Sequence, residues 1–210
     1  MSLAGASPSS ATKRTADTNV TNGASAVKKG GGHWSTALTS AVEDESVQVY
    51  KDDLCTIIND KYPKAKHHML AMPNEYIANL KSLTSAHVPL LKHMLQVGKE
   101  TAMKLRKAGD SSDEFRYGYH AIPSLSLLHM HIISQDFKSD CLKTKKHWNS
   151  FTTSYFMDAE DVIDELQTHG QVQVDSAPFY RLLEQELTCH RCQGKFRTMP
   201  KLKEHIDQHR

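Results

Sequence analysis

Two groups of residues in this 210-residue chain have the types and spacing to do chemistry. The first is Cys189, Cys192, His205 and His209, spaced C-x2-C-x12-H-x3-H. Tetrahedral zinc takes sulfur and imidazole ligands, and histidines four apart lie on one face of a helix, so both reach the same ion. Phe196 and Leu202 stand where such a module needs its small core. A structural Zn2+ is expected, supplying on the order of 10–16 kcal/mol of folding energy. The second group lies in Ser124–Ser134, SLSLLHMHIIS. Alternate residues of a strand share a face, so His129 and His131 point one way, about 7 Å apart, while Leu128, Met130 and Ile132 point into a core. The pair is expected at a sheet edge. Three chemistries fit it: ordinary hydrogen-bonded histidines, metal ligation (although no Asp, Glu or Cys nearby offers a third ligand), or attack of a neutral imidazole on phosphorus beside a charge-stabilising neighbour.

The elements that position these groups read as α+β. Val47–Tyr50 and Leu54–Asn59 form a predicted hairpin around Lys51-Asp52-Asp53, and His68–Met72 a short strand stopped by Pro73. Leu90, Leu91, Met94, Leu95, Gly98, Ala102 and Leu105 make an apolar helical stripe, with Ser85 as N-cap, Pro89 in the first turn and Gly109 after the end. Arg116–Ile122 and Leu127–Ser134 return to strand character. Asp158 caps a predicted helix running to His169 and stopped by Gly170, and a short helix near Phe179–Glu186 leads into the finger. A short helix is also expected over Trp34–Ala41. The expected divisions are a disordered tail 1–32, a catalytic domain 33–157, a helical connector 158–187 and the finger 188–210.

Composition narrows the setting. A 39% apolar content supports one proper core, and no run of eighteen apolar residues suggests a membrane span. The first residues lack a secretory signal, so Cys55 and Cys141 are expected as free thiols in a reducing compartment. Lys13-Arg14 and Lys28-Lys29 in the polar tail suit nuclear import and plain solubility equally. The net charge of +2 is uninformative, but in the finger Arg191, Lys195, Arg197, Lys201, Lys203 and Arg210 outnumber Glu204 and Asp207. That favours phosphate contact. One finger reads about three base pairs, here through Thr198, Lys201 and Glu204, so backbone grip is expected over sequence readout, with protein binding as the alternative.

GYHAIPS (Gly118–Ser124), HMHIISQDF (His129–Phe137) and CLKTKKHWNSF (Cys141–Phe151), followed by the finger, together resemble the aprataxin family of the histidine-triad (HIT) superfamily. The resemblance covers about residues 33–210. It implies a HIT-like antiparallel sheet with packed helices and a ββα finger. The implied activity is removal of AMP from 5′-adenylated DNA ends left by abortive ligation, through an adenylyl-histidine, with no catalytic metal, in a nuclear monomer that binds nicked or adenylated DNA. In that family's terms His129 is the nucleophile, His131 stabilises charge on phosphorus, and His120 assists the leaving 5′-phosphate. Ser124, Lys143 and Lys146 face phosphates and DNA. Asp60 takes the ribose hydroxyls, His68 lines the pocket behind the strand, Leu38 belongs to the adenine pocket, and Trp34 stacks on the DNA end. Leu127 occupies the place of the first triad histidine. Residues 1–32 are too short and polar for a forkhead-associated domain of the kind often found in animal members. A hydrolase of free nucleotides and a non-catalytic DNA-binding adaptor are the alternatives. Loss of the finger is expected to weaken DNA binding and stability before chemistry.

Overall fold

The computed structural model describes residues 43–107 and 114–209, all within one compact unit. Trp34, Leu38, Gly109 and Arg210, the 1–32 tail and the helix expected at Trp34–Ala41 lie outside the described residues. Among the described residues no helix is long and apolar enough to cross a membrane.

Six antiparallel strands form one sheet: β1 (Gln48–Lys51), β2 (Cys55–Asn59), β3 (His68–Pro73), β4 (Phe115–His120), β5 (Met130–Ser134) and β6 (Phe156–Asp158), in the order β1-β2-β3-β5-β4-β6. The first hairpin turns where predicted. Asp52 Oδ1 accepts the main-chain N–H groups of Leu54 and Cys55, both at 2.8 Å, which delays β2 to Cys55. Its Oδ2 meets His93 Nε2 at 2.6 Å, tying the turn to helix α1 (Val88–Lys107). The expected N-cap Ser85 instead begins a short 3-10 turn, Ser85–His87, in which Thr84 N–H donates to His87 Nδ1 at 2.9 Å. α1 therefore starts at Val88, with Pro89 in its first turn, where a missing N–H leaves no bond unmade.

One sheet face packs Ile57, Met69, Ala71, Tyr119, Met130 and Ile132 against α1 and α3 (Ala159–His169). Gly170, at φ 73°, ends α3 as expected. Asp158 sits at the N-cap position, but its carboxylate takes three bonds from the Arg116 guanidinium and none from the helix amides. Glu160 and Asp161 supply the negative charge at that end instead. On the other face, Ile133, Phe137 and Phe156 pack with Trp148 and Phe151 of α2 (Lys145–Thr152), an element the sequence reading leaves unassigned along with β6. Leu187, Cys189, Met199, Leu202 and Ile206 of the finger join the same cluster. The connector helix α4 (Ser176–Leu183) starts earlier than expected because Asp175 accepts Ala177 N–H and caps it there.

The finger comprises β7 (Leu187–Thr188), β8 (Lys195–Phe196) and α5 (Met199–Ile206). Its seat on the sheet is made by directional bonds. Trp148 Nε1 donates to Thr188 O at 2.9 Å, His190 Nε2 to Gln135 O at 3.1 Å, and Lys203 Nζ to Ser139 O at 2.8 Å. Thr198, Lys201 and Glu204 remain exposed.

Candidate active site

The histidine strand departs from expectation in place and length. β5 lies inside the sheet between β3 and β4, not at an edge, because β3 pairs with it on the side away from β4. It begins at Met130, since Leu127 adopts φ 99° and breaks the extended backbone two residues before His129. This is a strained conformation for a leucine. It is held by Leu127 N–H to Ala78 O (3.1 Å) and Leu128 N–H to Ile77 O (2.7 Å).

The bend turns the Leu127 carbonyl onto His129 Nδ1 at 2.8 Å. A carbonyl only accepts, so Nδ1 carries the ring proton and Nε2 keeps its lone pair. His129 and His131 share one face as expected, with ring centroids 5.0 Å apart, and are 7% and 5% exposed. Behind His131, His68 Nε2 approaches its Nδ1 at 2.9 Å. Lys64 main-chain N–H donates to His68 Nδ1 at 3.1 Å, so the His68 proton sits on Nε2 and points at His131. His131 must then hold its own proton on Nε2, a buried atom with no partner. His120, at the end of β4, lies 4.4 Å from His131 between ring centroids, and its Nε2 is likewise buried without a partner. The unengaged Nε2–H of His131, beside a nucleophilic nitrogen, forms a place for an oxyanion, while His120, bonded to the Ser150 main chain through its other nitrogen, presents a lone pair at Nε2.

Phe151 and Phe156 wall the cluster, each packing on both His120 and His131. Gly118, paired with His131 across the strands, makes room: a Cβ there would collide with the Phe156 ring and the Met157 carbonyl. Arg116 covers the outer face of Phe156, 4.6 Å from its centroid. Beyond His129, Ile58, Leu70 and Met72 form an apolar patch against which Val47, Leu125 and Leu127 pack.

Burial sets the protonation states. It lowers His68 to about 4, with the Asp60 charge opposing and the Lys64 charge assisting. It lowers His120 to about 3, helped by charge on His129, His68 and Lys64, and takes His131 well below its ordinary value. His129 is also lowered by burial, against the bond to Leu127 O and the charge of Asp60. The cluster is therefore neutral at pH 7.

Other predicted residues are placed less centrally. Asp60 Oδ2 lies 3.5 Å from His68 Nδ1, while its Oδ1 accepts Tyr62 N–H. Ser124 is exposed on the loop joining β4 to β5. Lys143 is exposed just before α2, and Lys146 is paired with Glu184 at 2.9 Å. Lys64 escaped the sequence reading. It stands in a run of lysines near His68 with no spacing rule to single it out, yet its charge bears on His68, His120 and His131.

In the finger, Cys189 Sγ is 3.4 Å from His209 Nε2, Cys192 Sγ 3.1 Å from His205 Nε2, and the two Nε2 atoms 2.9 Å from each other. Two imidazole nitrogens and two sulfurs converging on one point fit a tetrahedral zinc ion. Asp60, His68 and His131, and separately Asp52, Cys55 and His93, also bring ligand-type atoms together. Hydrogen bonding among these residues accounts for both groups.

Comparison with known proteins matches residues 35–147 to the family described as "Scavenger mRNA decapping enzyme C-term binding" and residues 152–210 to the "C2HE / C2H2 / C2HC zinc-binding finger". Aprataxin of Gallus gallus is 50% identical over 178 residues, covering 85% of this chain and 55% of that protein. The aprataxin-like protein of Schizosaccharomyces pombe is 31% identical over 185 residues, covering 76% of this chain and 73% of that protein. The chain belongs to the aprataxin family. An aprataxin ortholog, Hnt3, solved in complex with DNA, shares the fold at TM-score 0.67 and 24% identity, covering 83% of this chain and 92% of its own. The chain spans about half the length of the Gallus gallus and Ciona intestinalis aprataxins.

Proposed function

We propose that the chain is a DNA-adenylate hydrolase of single-strand break repair, releasing AMP from 5′-adenylated DNA ends in the nucleus as a monomer. The observation that carries this reading is the 2.8 Å contact of His129 Nδ1 with Leu127 O, which leaves Nε2 unprotonated and free to attack. In the first step Nε2 bonds to the AMP phosphorus and the P–O bond to the DNA 5′-phosphate breaks. The phosphate leaves with its electron pair, and adenylyl-His129 remains. Water then attacks phosphorus and gives up a proton to solvent, the N–P bond breaks with its electron pair returning to His129 Nε2, and AMP departs. Charge building on the non-bridging oxygens is met by the Nε2–H of His131, and His120 assists the leaving 5′-phosphate. The apolar patch of Ile58, Leu70 and Met72 suits a flat base. Exposed Lys143 and Lys146 suit DNA phosphates, since the surface pair Lys146–Glu184 costs little to exchange. The finger, seated on the same sheet face as the histidines, would extend that contact along the backbone, and its zinc holds that shape without joining the reaction.

The test is a gel assay of 5′-adenylated nicked duplex against free diadenosine polyphosphate. Preferential release of AMP from the nick is expected, and His129→Ala should abolish it while nicked-duplex binding persists. Equal or better cleavage of the free nucleotide would sink the DNA assignment. Near wild-type turnover by His129→Ala would remove the covalent step.

A further inference from the structure

The loop from Ala121 to Leu128 joins His120 to His129, and its two ends are held separately. Its far end is fixed by the bonds of Leu127 and Leu128 to Ala78 and Ile77. The near end is fixed by one residue, Tyr155, which sits in the turn before β6 and is 5% exposed. Ala121 N–H donates to Tyr155 O at 2.9 Å, continuing the β4–β6 ladder past its last pair, His120 with Phe156. The Tyr155 hydroxyl returns to the same loop, donating to Ile122 O at 2.5 Å. Its ring lies against His120, with centroids 5.5 Å apart, and Phe179 of α4 backs it at 6.3 Å. Ile122 is followed by Pro123, which has no N–H to anchor, and then by exposed Ser124.

We propose that Tyr155 is a positioning residue for the leaving-group side of the reaction: through Ile122 O it holds the Ala121–Ser124 segment, and with it Ser124, in place for the departing DNA 5′-phosphate. This rests on the DNA-adenylate reading above. Burial raises the phenol to about 12, so the hydroxyl remains a donor throughout the neutral range. The bond is to main chain, so its effect is geometric. It acts on the side of the substrate that leaves, whereas the nucleophile is oriented independently by Leu127.

The separating measurement pairs two substrates on full-length chain: 5′-adenylated nicked duplex, and the p-nitrophenyl ester of AMP, whose leaving group has no DNA phosphate for the loop to hold. Tyr155→Phe removes one oxygen and keeps the ring. It should lower the rate on adenylated DNA roughly 10- to 100-fold, the scale of a misplaced reacting group, and leave the ester rate within about twofold. Ser124→Ala should also lower the rate on adenylated DNA, and on that substrate the double variant should lose no more than the worse single one. Equal losses on both substrates would mean a general structural role, and no loss on DNA would mean the hydroxyl positions nothing; either overturns the inference. Both rates are read below the unfolding midpoint of Tyr155→Phe, so that early melting does not enter the comparison. Wild-type chain that cleaves the ester but not adenylated DNA would overturn the DNA reading itself, and this inference with it.

Discussion

At His129 the place of a single proton decides the chemistry, and that proton is fixed by main chain. The contact uses the carbonyl of position 127 and makes no use of its side chain. Leu127→His should therefore keep turnover within about threefold, read as steady-state AMP release. Leu127→Gly should relieve roughly 1 kcal/mol of strain from the positive φ but give up the side chain's packing on Ile58, Leu70 and Met72 and add entropy to the unfolded chain, so the midpoint of urea unfolding should fall. A large loss of activity in Leu127→His would mean that the side chain matters after all. His68 offers a sharper case. Gln can still donate to His131 Nδ1, whereas Met cannot, so His68→Gln should retain more activity than His68→Met, with the Met variant losing roughly 100-fold or more through the wrong His131 tautomer. Equal losses would show that the donated bond is not what matters. Burial also places the acid limb of kcat/KM below pH 6.5, because a nucleophile with a lowered pKa stays neutral further into acid. A limb at or above pH 7 would contradict that.

Among the elements, α2 ties the connector and the finger to the sheet. Trp148 is fully buried and donates to Thr188 O, while Asn149 Nδ2 donates to Leu183 O and Gln185 O, gathering connector and finger onto one helix. Asn149→Ala would remove both bonds, to the carbonyls of half-buried Leu183 and exposed Gln185, at a cost of about 0.5–1.5 kcal/mol, read from urea denaturation. A change below a few tenths would show that water replaces the amide at no cost. This helix was invisible in the sequence because KKHWNSFT has no long apolar stripe, and its lysines and aromatics read as a DNA-facing cluster. The long amphipathic α1, the first hairpin and the Gly170 stop were legible, since periodicity and turn chemistry are local. The histidines and the four finger ligands were legible by spacing. Strand order was not: that β5 lies between β3 and β4 depends on pairings far apart in sequence, such as Leu70 with His131. Nor could any pattern show that Asp158 gives its carboxylate to Arg116 in place of its own helix, or that Leu127 takes a positive φ.

For the whole molecule, the buried histidines couple stability to pH. His68 and His120 titrate near 4 and 3 when folded, against an ordinary 6.5 when unfolded. Between pH 6.5 and 4 the unfolded chain therefore binds protons that the folded one refuses, so stability is full above pH 6.5 and falls as the solution is acidified through that window. The loss should be on the order of a few kcal/mol by pH 4.5, and His120→Phe should flatten part of it. Metal removal tests a deeper coupling. As a separable module, the finger would be expected to lose DNA affinity and stability before chemistry. Yet Leu187, Cys189, Met199, Leu202 and Ile206 share one cluster with Phe151 and Phe156, the rings that wall His120 and His131. Unfolding the finger would strip Trp148 of its acceptor and uncover half of that cluster. Chelation, or Cys189→Ser, should then lower turnover of the p-nitrophenyl ester of AMP roughly 10-fold or more, although so small a substrate has no DNA to be gripped. Ester turnover and metal release, followed together against chelator concentration, should share one midpoint. Full ester turnover after the metal has left would show instead that the catalytic face stands without the finger and that the shared core is contact without coupling.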